Sequence, residues 1–133
     1  MGAAPLDHHP DPPPSRAERG ALVSEISREI VRLHARLYGR GPTKARSYLH
    51  RDYAMCVLEE IFTTAERTLI QTGSTEHVQD TRLKFQAAVE PEFREVVETV
   101  TGRSVHVVIS QVDIDADLAV ELFLFEPEEV EDG

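Results

Sequence analysis

Val23, Ile26, Ile30, Leu33 and Leu37 recur at alternating steps of three and four residues. That spacing sets them along one stripe of a helix, and Gly39 stands where a left-handed residue closes such a helix. The pattern predicts a helix over about residues 16–38. Two strand-like runs follow, about 44–50 and 53–59, with Arg51-Asp52 between them at the length of a tight hairpin. Thr63-Thr64-Ala65-Glu66 spells a capping box, in which a hydroxyl and a carboxylate each satisfy an orphan amide. It predicts a short helix to about residue 72, ended by Gly73. Val78, Phe85, Val89, Phe93, Val96 and Val100 then mark one side of a long helical pattern over about 75–101. Pro91 inside it is expected to kink the helix or to begin a new one. Two β-rich runs finish the body: 104–112, where Val105, Val107 and Ile109 alternate, and 118–125.

The order is α-β-β-α-α-β-β, and it contains an echo. Tyr38-Gly39-Arg40 and Thr101-Gly102-Arg103 each end a long helix and lead into a hairpin, so the chain reads as two αββ units. One such unit is marginal alone. The pair predicts an α+β fold with one four-stranded antiparallel sheet and helices mainly on one face. The last strand, Leu118 through Phe125, is apolar on nearly both sides of the pleat, whereas a sheet with one wet face alternates. A cover for the second face is therefore expected. A second copy of the chain in a homodimer is the leading candidate, because a two-fold uses one patch twice; the chain's own segments or a different partner are the others.

Composition refines this picture at the ends. Five of the 8 prolines fall in residues 1–14, which read as a disordered arm. Residues 15–126 read as one domain of ordinary size, and 127–133 as an acidic tail. The net charge is -10, but seven of the 24 acids lie in 1–14 and 126–133, so the body is close to balanced. Acidic flanks, few aromatics and a single short basic stretch argue against nucleic-acid binding. The lone Cys56 sits in the apolar run Ala54-Met55-Cys56-Val57-Leu58 and reads as core in a reducing compartment. The beginning of the chain lacks the charge and apolar stretch of a signal peptide, and no run reaches the roughly 20 apolar residues of a membrane span. The expected location is the cytoplasm.

Candidate chemistry concentrates where the two units differ. The first has about four extra residues, Gly41-Pro42-Thr43-Lys44, before its strand. Residues 39–51 hold Arg40, Lys44, Arg46 and Arg51 without one acid. Glycines that expose amides, a proline that fixes the turn and cationic side chains together suit an anion or an acidic partner. Gly39, Arg40, Gly41, Pro42, Thr43, Lys44 and Arg46 are the candidate anion- or partner-binding residues; the competing reading is a helix exit beside a solvated strand edge. The stretch has neither Walker spacing nor the strand-then-helix setting of a dinucleotide fingerprint. Asp113-Ile114-Asp115-Ala116-Asp117 imitates the start of a calcium loop, but Leu118 and Leu124 occupy the positions that need Gly and Glu, so it reads as a polar turn. His8 and His9 lie in the arm, and His34, His50, His77 and His106 are scattered without metal spacing. No catalytic residue, metal or cofactor is assigned.

The string Leu37-Tyr38-Gly39-Arg40-Gly41-Pro42-Thr43-Lys44-Ala45-Arg46, with Val57-Leu58-Glu59, Thr64-Ala65-Glu66-Arg67, Thr101-Gly102-Arg103-Ser104-Val105 and the stretch from Asp113-Ile114-Asp115 to Phe125-Glu126-Pro127, resembles the bacterial MpsC family. The family carries the description of a component of a Na+-translocating, membrane-potential-generating system. The resemblance implies an accessory or regulatory module that serves Na+ or inorganic-carbon transport through a separate membrane-embedded subunit. The alternative expectation is a cytoplasmic sensor of a small anion or nucleotide.

Overall fold

The computed structural model of the chain describes residues 12–128. The greater part of the proline-rich arm, including His8 and His9, and the end of the acidic tail lie outside them. Ser15 opens α1 (Arg16–Tyr38) with a reciprocal cap: Glu18 N–H donates to the Ser15 hydroxyl and Ser15 N–H to the Glu18 carboxylate, each at 3.1 Å. Gly39, at φ 81°, closes it in the left-handed region. β1 (Lys44–Leu49) and β2 (Tyr53–Glu59) form the first hairpin around Arg51-Asp52. The Thr63 capping box then starts α2 (Thr64–Gln71). α3 (Thr75–Thr101) leads to the second hairpin, β3 (Val105–Asp113) and β4 (Leu118–Phe125).

The elements are those the spacing predicts, with one difference at Pro91. α3 passes through it as a single helix. Both Pro91 and Ala87, whose carbonyl loses its donor, are exposed, so the missing hydrogen bond leaves no buried group unsatisfied. The buried side of α3 also differs from the apolar pattern. It consists of Val78, Arg82, Gln86, Val89, Phe93 and Val97, with Phe85, Val96 and Val100 only partly buried beside them. Two polar residues thus complete a stripe in which the sequence shows only hydrophobic ones.

The strands form one antiparallel sheet in the order β1-β2-β4-β3. Each αββ unit contributes one hairpin, and the second strands of the two hairpins meet in the middle. One face supplies Ala54, Cys56, Leu58, Ala119, Phe123 and Phe125 to a core shared with Ile26, Ile30 and Leu33 of α1 and Val89, Phe93 and Val97 of α3. Across this inner face runs a polar row, Ser47, Cys56, Glu121 and Ser110. Ser47 donates to Cys56 Sγ at 3.4 Å and Ser110 to Glu121 Oε1 at 2.9 Å. Burial pushes the Cys56 thiol up to about 12 and the Glu121 carboxyl up to about 7, the latter against the Ser110 hydrogen bond.

The outer face is built of four rows: Lys44–Glu59–Leu118–Asp113, Arg46–Val57–Val120–Gln111, Tyr48–Met55–Leu122–Ile109, and Tyr53–Leu124–Val107 on the three remaining strands. None of its apolar members belongs to the core or packs against it. The apolar second side of the last strand seen in the sequence is this face.

Candidate functional site

The basic stretch after α1 divides into an anchored part and an open part. Gly39 is the helix cap, its N–H donating to the Ala35 carbonyl at 2.9 Å. The Arg40 guanidinium turns inward and donates to the Phe62 carbonyl at 3.0 Å, while the Arg40 carbonyl meets His34 Nδ1 at 3.0 Å. Gly41 lies over α1, where an added Cβ would make ordinary contact with Ala35 and Val31, at 3.4 and 3.5 Å. Its space does not require glycine. Pro42 is buried, and Thr43 N–H donates to the Glu59 carbonyl at 3.1 Å, which begins the sheet. Lys44 and Arg46 are exposed and form no ion pair among the described residues.

The anchor belongs to a larger buried clasp that the sequence does not reveal. Arg82 of α3, 2% exposed, donates to both carboxylate oxygens of Glu66 at 2.6 Å and to the Ile61 carbonyl at 3.0 Å. Its Nη1 lies 3.4 Å from His34 Nε2, and its guanidinium stacks 4.1 Å from the centre of the Tyr38 ring. Burial drives His34 down to about 4, outweighing the pull of the Arg40 carbonyl, and Arg82 adds to the effect. The imidazole is therefore neutral, with Nδ1–H donating to Arg40 and Nε2 facing Arg82. Burial pushes Glu66 up, but its bonds from Arg82 and Thr63 reverse this and hold it below the ordinary carboxylate range. From the other side, Asp117 accepts from the amides of Ile61 and Phe62 at 2.8 and 3.1 Å and pairs with Arg67 at 3.3 Å. The aspartate turn thus serves as a bracket for the β2–α2 link. Glu66 was legible only as a cap; its charge partner sits 16 residues away, inside a helix whose apolar pattern hides it.

Arg46, of the open part, faces a groove of about 860 Å³ between α1 and β1. β1 is an edge strand, with β2 on one side and, among the described residues, no strand on the other. Pro42, Thr43 and Arg46 line the groove with Ala45, Ser47 and Tyr48, and α1 supplies Val23, Ser24, Ser27, Arg28, Val31 and Arg32. Ser27 and Ser47 hydroxyls, 2.6 Å apart, tie its two walls. Gly39, Arg40, Gly41 and Lys44 do not line it. The sequence reading missed Arg28 and Arg32, which stand one helical turn apart beside the apolar stripe; their i, i+4 spacing with Ser24 was the available signal. Arg32 is paired with the exposed Glu29 at 3.1 Å, whereas Arg28 has no ion pair among the described residues.

Fold and groove together define a small α+β module with a cationic cleft along a free sheet edge, and no described helix is long and apolar enough to cross a membrane. The chain belongs to the MpsC family, described as a Na+-translocating membrane potential-generating system, whose pattern it matches over residues 18–127. No curated protein and no solved structure is significantly similar to it.

Proposed function

We propose that the protein is a non-enzymatic accessory module that receives an acidic, extended segment of a partner in the α1–β1 groove. The observation that carries this reading is the coincidence of Arg28 and Arg46, both without an ion pair among the described residues, with the free edge of β1. A free edge offers backbone donors and acceptors to an added strand, and guanidinium groups beside it select carboxylates. Family membership points to a partner in a Na+-translocating membrane system. With no described helix able to span a bilayer, the chain would serve such a system from the cytoplasm through a membrane-embedded subunit, in Na+ or inorganic-carbon transport.

An enzymatic role lacks support from the groove. His34, Tyr38, Cys56, Glu66 and Glu121, whose titration the fold shifts, belong to the core or the clasp, and none lines this cleft. The second reading, a sensor of a small anion or nucleotide, rests on the same cations, but an open cleft of this size encloses a small anion poorly.

Retention of membrane-fraction proteins on the immobilised chain tests the proposal. The wild type is expected to hold a defined partner that is lost in high salt and lost with Arg28→Ala/Arg46→Ala; equal retention by that double variant would overturn the groove as the docking site. Calorimetry against bicarbonate, phosphate and nucleotides separates the sensor, which alone predicts heat from these ligands.

A further inference from the structure

The groove leaves the outer face of the sheet unexplained, and that face carries its own order. Its first row places Lys44 and Asp113 at opposite edges of the sheet, and its third places Tyr48 and Ile109 there, 45% and 47% exposed. The centre is apolar except for Glu59 in the first row, and the second row ends in Arg46 and Gln111 at its edges. We propose that this face is the interface of a homodimer, in which two copies pack sheet on sheet about a two-fold axis parallel to the strands. The proposal goes beyond the groove reading and does not depend on it; the two surfaces share Arg46 and Tyr48 at the β1 edge.

The axis follows from the rows. A two-fold parallel to the strands keeps each row at its level and exchanges the edges, so β1 of one copy lies over β3 of the other and β2 over β4. Lys44 then meets Asp113 of the other copy, Arg46 meets Gln111, Tyr48 meets Ile109 and the central aliphatic side chains meet each other, each contact occurring twice, while Glu59, beside Lys44 in its own row, lies over Leu118 at the end of the face. A two-fold perpendicular to the strands would instead lay the first row over the fourth. Asp113 would then lie over Val107 without a partner, Glu59 over Tyr53, and Lys44 beyond the three strands that carry the fourth row, so neither edge charge would be paired. Charge complementarity therefore selects both the occupant and the axis. Sheets pack about 10 Å apart, a gap that a lysine and an aspartate at facing edges bridge between them.

The area is near the lower bound of a specific interface. Four strands about 4.8 Å apart and a ladder of seven residues rising about 3.4 Å each give a face of about 450 Å² per copy, or about 900 Å² for the pair before side-chain relief is counted. That approaches the roughly 1,000 Å² of a specific interface, and the aliphatic centre gives it the apolar core such interfaces have.

Sedimentation or light scattering of the full chain at tens of micromolar tests the proposal. The expected mass is twice that of the 14.9 kDa chain. Leu122→Glu at the centre and Ile109→Lys at the exposed edge are each expected to give monomers with unchanged helical circular dichroism. Lys44→Glu alone should weaken dimerisation by about tenfold or more, and Lys44→Glu/Asp113→Lys should restore it. A wild-type monomer would overturn the proposal, whether or not it binds lipid vesicles or another protein. A dimer undiminished by Ile109→Lys would place the interface elsewhere, and a double reversal no tighter than Lys44→Glu would reject the axis.

Discussion

Arg82 and Arg46 carry the same guanidinium in opposite settings. Arg82 is enclosed, with both Glu66 oxygens, a backbone carbonyl, an imidazole and an aromatic face around it. Arg46 stands at an open groove without an ion pair among the described residues. The buried charge is consumed by the fold: it fastens α3 to the start of α2 and, through His34, to the exit of α1. The open charge contributes little to stability and is left for something outside. In this chain a basic residue's role is set by whether its donors are already spoken for, and a count of charges along the sequence does not show it.

The largest effect is expected where the enclosed arginine is removed. Arg82→Met keeps the apolar stem but leaves the Glu66 carboxylate, the Ile61 carbonyl and His34 Nε2 without their donor. The cost is expected at about 3–5 kcal/mol, a large share of a domain stability of about 10 kcal/mol. Urea unfolding followed by circular dichroism measures it. A loss below about 1 kcal/mol would show that the clasp is dispensable and would dissolve the contrast with Arg46.

The two buried titrating groups sharpen the comparison through pH. Glu121 is raised in the fold from 4.5 to about 7, so the folded state holds its proton more tightly. Its ionisation costs nothing below about pH 4.5, and the fold loses stability as pH rises from there through 7, by up to about 3 kcal/mol. His34 is depressed from 6.5 to about 4, so the unfolded state binds its proton first and stability rises with pH between those values. Between about pH 4.5 and 6.5 the two slopes oppose each other. Glu121→Gln removes one of them. It is expected to raise the melting temperature at pH 8, change it little at pH 4.5, and uncover the rising limb of His34 in between. Thermal melts across that range check this; a variant with the wild-type profile would mean that Glu121 is charged in the fold.

Much of the fold was legible because its determinants are local. The apolar stripe of α1, the Thr63–Glu66 box and the two Gly-Arg helix exits need only a few neighbouring residues to be read. The apolar second side of β4 was visible for the same reason, since a period of two exposes it directly. What was hidden depends on residues far apart in the chain. Arg82 sits on the stripe of its helix, four residues after Val78 and seven before Val89, but its charge reads as a solvent residue. Its burial makes sense only once Glu66, His34 and Tyr38 converge on it from other elements. The candidate site divided for a related reason. Arg40 and Arg46 look equivalent in a basic run, but the turn at Gly39 points one at the Phe62 carbonyl and strand pairing leaves the other outside. The groove's far wall comes from α1, before the run begins, and nothing local connects Arg28 to Arg46.

The smallest effect on stability, and the sharpest division of roles, is expected from comparing Arg40→Ala with Arg28→Ala/Arg46→Ala. Arg40→Ala removes a donor from the Phe62 carbonyl and is expected to cost about 1–2 kcal/mol while leaving partner retention unchanged. The groove pair is exposed and, among the described residues, satisfies no backbone group, so its loss is expected to shift stability by no more than about 0.5 kcal/mol and to abolish retention. Urea midpoints and membrane-fraction retention, measured on the same preparations, give both readouts. If Arg40→Ala loses the partner at full stability, the basic run itself is the docking element and the groove is incidental. If instead the groove pair lowers stability as much as Arg40→Ala does, its guanidinium groups are serving the fold after all, and the distinction between enclosed and open charge fails at the place where it matters for binding.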